Sequence, residues 1–263
     1  MMSHSMTQHP IITLTTDFGH SDGYVGTMEG VILGICPAAT ITHLSHEIPP
    51  QAVETGAFVL YQSCNYYPPH TVHCVVVDPG VGSERRAVAV QTSIGVFVAP
   101  DNGVLSLVLA SATVQAAVAL ENPAYRLPRT SRTFHGRDIF APAAAHLSAG
   151  VPLAQLGPAV DDLVRLELLS PPGPGLARVI HVDHFGNVVL SLTAADVPHP
   201  NNLMLTVGAS QIQGLRRTFA DVAEGELLAY VGSSRDHIEI AMRNGNAAQS
   251  LALRPGAVVR VTA

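Results

Sequence analysis

Cys74-Val75-Val76-Val77-Asp78-Pro79-Gly80-Val81-Gly82-Ser83-Glu84-Arg85-Arg86 is the stretch on which the reading of the fold turns. Val75, Val76 and Val77 run together without polar alternation, as in a strand covered on both faces. Asp78 stands where that strand must stop. Pro79 has no N–H for the ladder, and Gly80 and Gly82 let the backbone turn tightly. In open α/β sheets the carboxyl ends of parallel strands face the ligand crevice, which makes Asp78 a ligand-facing carboxylate. Arg85, seven positions on, can fold back onto it. Taken alone, the stretch also fits an Asp-capped turn followed by a solvated Arg pair.

Outward from this strand, apolar runs alternate with helical periods. Ile11 to Thr15 reads as a first strand and Ala39 to His43 as a second, with Val72 to Val77 the third. Between them, Gly23 to Ile35 places Tyr24, Met28, Val31, Ile32 and Ile35 on one helical face. Pro49 and Pro50 open a further helix carrying Val53, Ala57, Leu60, Tyr61 and Cys64. Ala87 to Gln91 and Gly95 to Ala99 are short strands, a hairpin or sheet neighbours. Helices follow at Val104 to Leu109 and Ile139 to Ser148. The alternation predicts an α/β N-terminal domain with a mainly parallel sheet and helices on both faces.

Ser170-Pro171-Pro172-Gly173-Pro174-Gly175 is the clearest linker. Beyond it, short strands recur near 177–182, 188–192, 203–207, 227–231, 237–242 and 257–261, and no helical period is strong. The expected division is an α/β domain over 1–170 and a small all-β, barrel-like domain over 171–263.

Composition narrows the function. The 263 residues are 47% hydrophobic and 13% charged, which suits a compact, well-buried protein. A net charge of -6, with no Lys/Arg cluster longer than two, argues against nucleic acid held by bulk electrostatics. Cys36, Cys64 and Cys74 have neither paired nor metal-type spacing and read as reduced core thiols of a cytoplasmic protein. Met1 to Pro10 lacks the apolar core of a signal peptide, and no apolar run can span a bilayer.

Four stretches can carry chemistry. In Thr15-Thr16-Asp17-Phe18-Gly19, an Asp at a strand end can accept from ligand hydroxyls or cap its turn. No Gly-rich phosphate loop is present. In Thr133-Phe134-His135-Gly136-Arg137-Asp138, His135 can join Asp78 and Arg85 around a bound water, or pack as a loop residue beside an Asp138 cap. Asp183-His184-Phe185-Gly186-Asn187 offers a stacking ring among polar groups, or an ordinary Asx turn. In the 232–242 stretch, Ser234 and Glu239 can contact a ligand or face solvent. His43-Leu44-Ser45-His46, near Asp17 and Asp22, has no third ligand at a diagnostic spacing, so no metal is expected.

Together these stretches resemble one family, the S-adenosylmethionine (SAM) hydroxide adenosyltransferases, or adenosine-forming SAM hydrolases, relatives of the bacterial fluorinase and chlorinase. The matching residues are Thr-Thr-Asp-Phe-Gly at 15–19, His-Glu-Ile-Pro-Pro at 46–50, Val-Asp-Pro-Gly-Val-Gly at 77–82 with Arg85, and Pro-Asp-Asn-Gly at 100–103. Phe-His-Gly-Arg-Asp-Ile-Phe at 134–140, Asp-His-Phe-Gly-Asn at 183–187 and Glu-Ile-Ala at 239–241 complete the set.

The resemblance implies that SAM and water give adenosine and L-methionine, in a homotrimer whose sites lie between subunits. It implies that Asp78, Arg85 and His135 manage the water and that Asp17 takes the ribose diol, beside Phe18. It matches Asp183, Phe185, Asn187, Ser234, Glu239 and Met242 to methionine and nucleoside contacts. No cofactor is implied; SAM is the substrate, and a pocket made for adenosine can retain it as product. The halogenating relatives lack the Asp-Arg-His set, so its presence favours water over halide. The sequence departs at Asp236-His237, where the resemblance leads one to expect a Gly–aromatic pair. Competing readings are a SAM-dependent halogenase, a non-catalytic module binding SAM or adenosine, and a metal-dependent hydrolase built on His and Asp.

Overall fold

The computed structural model describes residues 9–262, so most of the polar start read above lies outside the described residues. The chain divides into two compact units, Met1–Leu166 and Glu167–Ala263.

The first unit contains β1 (Ile11–Thr16), α1 (Tyr24–Ile35), β2 (Thr40–Ser45), α2 (Val53–Ser63), β3 (Val72–Val76), β4 (Ala87–Thr92), β5 (Gly95–Pro100), α3 (Ser106–Ser111), β6 (Val114–Ala119) and α4 (Ala141–Ser148). Its six strands form one sheet in the order β2-β1-β3-β5-β4-β6. β3 is parallel to β1 and β5, and β1 to β2, but β4 runs antiparallel to both β5 and β6. The sheet is mixed, a correction to the mainly parallel one expected. The cause is local: only Ser93-Ile94 separates the last paired residues, Thr92 and Gly95, and so short a loop cannot make a parallel crossover. β6 has little sequence signature because its Val-Gln-Ala-Ala-Val-Ala run is Ala-rich, and alanine is depleted in strands.

Both faces of the sheet are covered. Val25, Met28 and Ile32 of α1 and the alanines of α4 pack with Ile12, Leu14, Cys74 and Val76. On the other face Leu60 of α2 and Val108 of α3 pack with Val75, Val88, Val90 and Phe97. Three helix starts differ from expectation: α3 begins at Ser106 rather than Val104, and the other two have a local cause. Pro49 and Pro50 lie in a turn closed by Ala52 N–H to Pro49 O at 3.0 Å. Gln51 has φ 67 there, which no helix accepts, so α2 begins at Val53. A π-helical turn, Gly136–Phe140, precedes α4 and delays it to Ala141.

The second unit contains β7 (Leu176–Val182), β8 (Val188–Thr193), β9 (Met204–Val207), β10 (Ser210–Gln213), β11 (Leu215–Arg216), β12 (Leu227–Val231), β13 (His237–Met242), the short α5 (Ala247–Ser250) and β14 (Val258–Thr262). They form one sheet in the order β10-β9-β14-β7-β8-β13-β12-β11. β10 comes back towards β12, so the sheet is nearly barrel-shaped. Its pairs are antiparallel except the two-residue β11, parallel to β12. Val179, Val188, Leu190, Leu205, Ile238, Ile240 and Val259 fill its core.

Candidate active site

From β1 the chain passes through α1 to β2 on one side, then through α2 back across to β3 on the other. The winding reverses between β1 and β3, and open α/β sheets bind ligands at such a switch point, beyond the strand ends. β1 and β3 pair in parallel with Thr16 opposite Val76, so both carboxyl ends lie at one edge. Asp17 leaves one of them and Asp78 the other. A cavity of about 460 Å³ opens there, lined by Asp17, Phe18, Tyr24, Asp78, Phe134 and His135 among others. The rings of Phe18, Tyr24 and Phe134 meet edge-on with centroids 5.2–5.9 Å apart, giving the cavity an aromatic wall.

Asp78, Arg85 and His135 are brought together. Arg85 Nε donates to Asp78 Oδ1 at 2.9 Å and Oδ2 at 3.0 Å, and Nη2 donates to Asp78 Oδ2 as well. Nη2 also donates to His135 Nδ1 at 2.7 Å. The guanidinium lies 5.2 Å from the Phe140 ring centroid. Since Arg85 has only donors, His135 Nδ1 must accept, and the neutral imidazole carries its proton on Nε2. Burial, then the Arg85 charge, hold His135 below the usual histidine range, with Asp78 opposing. The trio thus combines a paired carboxylate, a fixed cation and a neutral imidazole with one N–H left to give.

Neighbouring residues fix this geometry. Gly82 has φ 80, and a Cβ there would sit 2.6 Å from the Arg132 carbonyl, so the 78–85 loop rests directly on the 131–133 loop. Fully buried Asp138 accepts from Ser131 N–H at 2.7 Å and from Arg137 Nε at 2.6 Å. Burial would raise its pKa, but these partners hold it below the ordinary carboxylate value. Asp138 therefore ties down the 131–133 loop rather than capping a helix. The Pro-Asp-Asn-Gly motif is also scaffold: Asn102 Nδ2 donates to Val77 O at 2.9 Å, and Asp101 pairs with Arg86. His43 and His46 bond each other at 2.8 Å, and no metal-holding group of three His, Cys, Asp or Glu occurs among the described residues.

The remaining candidates lie in the second unit. Asp183 Oδ1 accepts from Phe185 N–H at 2.9 Å and Asn187 N–H at 2.8 Å, while Oδ2 accepts from Asn187 Nδ2 at 2.8 Å. This Asx-type turn leaves Phe185 73% exposed. Glu239 is buried on β13 opposite Tyr230, whose hydroxyl donates to Glu239 Oε2. Burial, then the Asp183 charge, push Glu239 up, against the Tyr230 hydrogen bond. Tyr230 was not legible in the sequence, since only the strand register puts it beside Glu239. Met242 packs with the Ile238 and Ile240 core, so it does not share the Glu239 face. Ser234 precedes Arg235 and Asp236, which hold φ 54 and φ 59. His237 is buried and donates from Nδ1 to Leu190 O at 2.8 Å.

Models of the SAM hydroxide adenosyltransferase N-terminal and C-terminal domains match residues 12–157 and 177–260. The chain belongs to this family. It is 44% identical to the (R)-S-adenosyl-L-methionine hydrolase of Salinispora arenicola, over 98% of this chain and 100% of that protein. It is 30% identical to the fluorinase of Actinopolyspora mzabensis, over 96% of this chain and 97% of that protein. A crystal structure of an uncharacterized conserved protein from Thermotoga maritima superposes with a TM-score of 0.89 at 36% identity, covering 96% of this chain and 100% of that one. For a SAM hydroxide adenosyltransferase, the 78–85–135 constellation is the feature to explain.

Proposed function

We propose that the protein hydrolyses SAM by attack of water or hydroxide at the ribose C5′, releasing adenosine and L-methionine. The observation that carries this reading is the Arg85 fork, which binds at once Asp78 and His135, two residues of the wall of the switch-point cavity. Methionine sulfur leaves neutral, so the leaving group needs no general acid. Catalysis must instead align one oxygen with the C–S bond and strip its water shell. The imidazole of His135 is a donor at Nε2, so the carboxylate of Asp78 is the group that accepts the water proton. Arg85 holds that carboxylate in place through its Nε and Nη2 hydrogen bonds. Asp17 takes the ribose hydroxyls, and the Phe18, Tyr24 and Phe134 rings give the nucleoside an apolar wall. Asp183, Phe185, Asn187, Ser234 and Glu239 serve the methionine and adenine portions, and Met242, packed with the Ile238 and Ile240 core, supports them from behind.

The chain acts as a homotrimer in this reading, in a reducing compartment where its three buried cysteines stay unpaired. Among the described residues no helix is long and apolar enough to cross a membrane. The test is chromatography of the protein incubated with SAM in halide-free buffer, with and without chloride. Adenosine and methionine are expected in equal amounts, unchanged by chloride. A 5′-chloro product would make it a halogenase, and retained adenosine without turnover would make it a binding module. Light scattering should give three chains per particle.

A further inference from the structure

Asp17 sits just past β1, where strand hydrogen bonding has ended, so something else must hold it. Three bonds do so, and all come from residues 46–51. His46 O accepts from Gly19 N–H at 2.8 Å. His46 Nδ1 bonds Thr16 Oγ1 at 2.9 Å. Gln51 N–H donates to Asp17 Oδ2 at 2.8 Å.

The side-chain chain has a consistent direction. Thr16 Oγ1 accepts from Phe18 N–H at 3.2 Å, so its hydroxyl is free to donate to His46 Nδ1. His46 Nε2–H then donates to His43 Nδ1 at 2.8 Å, and His43 Nε2 faces Glu29 Oε1 at 3.6 Å. Thr16 and His46 are 0% and 1% exposed, so water cannot replace a lost partner. The Gln51 amide is aimed by the turn Pro49–Ala52, whose third residue needs positive φ, a place usually given to Gly or Asn. Glutamine holds it here with φ 67, and its N–H meets the Asp17 carboxylate. Among the described residues Asp17 Oδ1 has no protein partner, which leaves it for a ligand.

We infer that His46 is a positioning residue: through its bonds to Thr16 and Gly19 it holds the 16–19 segment so that the Asp17 carboxylate stands where the ligand's vicinal hydroxyls are bound. The inference rests on the proposed role of Asp17, and the experiment separates the two.

Adenosine affinity is measured by calorimetry on the full chain, with KM and kcat for SAM beside it. Thr16→Val removes the hydroxyl at constant shape, and about tenfold weaker adenosine binding is expected. KM for SAM should rise by the same factor while kcat stays within about twofold. His46→Asn keeps a polar atom at the Nδ1 position and should retain affinity, whereas His46→Gln, which mimics Nε2, should lose it. Thr16→Ser should behave as the wild type. In a double-mutant cycle, Thr16→Val added to Asp17→Asn should cost nothing further. Equal losses in both backgrounds, or an Asn variant no better than Gln, would overturn the inference. If Thr16→Val does not fold, the Asn and Gln pair decides. Unweakened binding in Asp17→Asn alone would instead sink the role proposed for Asp17.

Discussion

Replacing Arg85 by lysine tests whether the fork, rather than the charge, readies the site. Arg85 makes Nε bonds of 2.9 and 3.0 Å to Asp78 and an Nη2 bond of 2.7 Å to His135, with its side chain only 10% exposed. Lysine keeps the charge and loses the planar fork. Its ammonium can meet Asp78 but cannot hold the imidazole in the same plane, and the contact over Phe140 goes with it. A charge-assisted hydrogen bond contributes about 1.5–3 kcal/mol. The stacked contact adds about 0.5–1 kcal/mol. A loss of about 3 kcal/mol from the transition state lowers kcat roughly a hundredfold. KM should change little, because Arg85 lies behind Asp78 rather than against the ribose. The assay is steady-state adenosine release over a range of SAM, with thermal unfolding as a control for folding. Nitrogen NMR should report His135 as the Nε2–H tautomer in the wild type and as a mixture in the variant. A folded Arg85→Lys protein within threefold of wild-type kcat would refute the reasoning.

Three further outcomes are expected. Asp78→Ala should abolish adenosine release while SAM binding stays measurable, and unimpaired turnover would remove Asp78 from the mechanism. Gly82→Ala puts a Cβ against the Arg132 carbonyl at φ 80, so chemical denaturation should show a loss of roughly 2 kcal/mol or more; an unchanged midpoint would contradict the packing. Burial lowers His46 and His73 from 6.5 to about 4, with His43 and His20 adding to the effect on His46. The unfolded chain therefore binds protons there that the folded chain refuses. Stability should rise with pH between about 4 and 6.5 and be lost on acidification, by roughly 3 kcal/mol per histidine. A melting temperature flat over that window would refute it.

The parts of the fold legible in the sequence are those where one residue type has one physical use. The Val75-Val76-Val77 run needs cover on both faces, and Pro79 must end it, so Asp78 is placed without knowing the rest. Sheet direction was less legible. β4 looks like any buried strand, and only the length of the Ser93-Ile94 loop makes it antiparallel. At Pro49 and Pro50 the rule that proline suits a first helical turn lost to the turn that Gln51 completes. In the site, Asp17, Asp78, Arg85 and His135 carry recognisable side chains at strand or helix ends. Thr16, His46 and Tyr230 act through partners 30 and 9 residues distant, which only strand register and packing bring close.

The groups each unit presents also bear on the chemistry of the ligand. Asp183 commits Oδ1 to two backbone N–H groups and one side of Oδ2 to Asn187 Nδ2. With that amide nitrogen engaged, Asn187 keeps its carbonyl oxygen as an acceptor. Glu239 gives Oε2 to the Tyr230 hydroxyl and keeps Oε1, against Gly232. In the first unit, Asp17 Oδ1 and Asp78 are acceptors facing the cavity, and His135 Nε2–H is a donor. The inventory is rich in acceptors and carboxylates, so it suits a ligand rich in donors and positive charge. SAM, with a sulfonium, an ammonium, a ribose diol and an exocyclic amine, is such a ligand. An anionic nucleotide is not, because phosphates placed against either set of groups would meet a carboxylate. A cation near Glu239 would favour its ionised form and oppose the effect of burial, which raises its pKa. Glu239→Gln should therefore weaken SAM binding more than adenosine binding, and calorimetry showing equal losses for the two ligands would remove Glu239 from contact with the methionine portion.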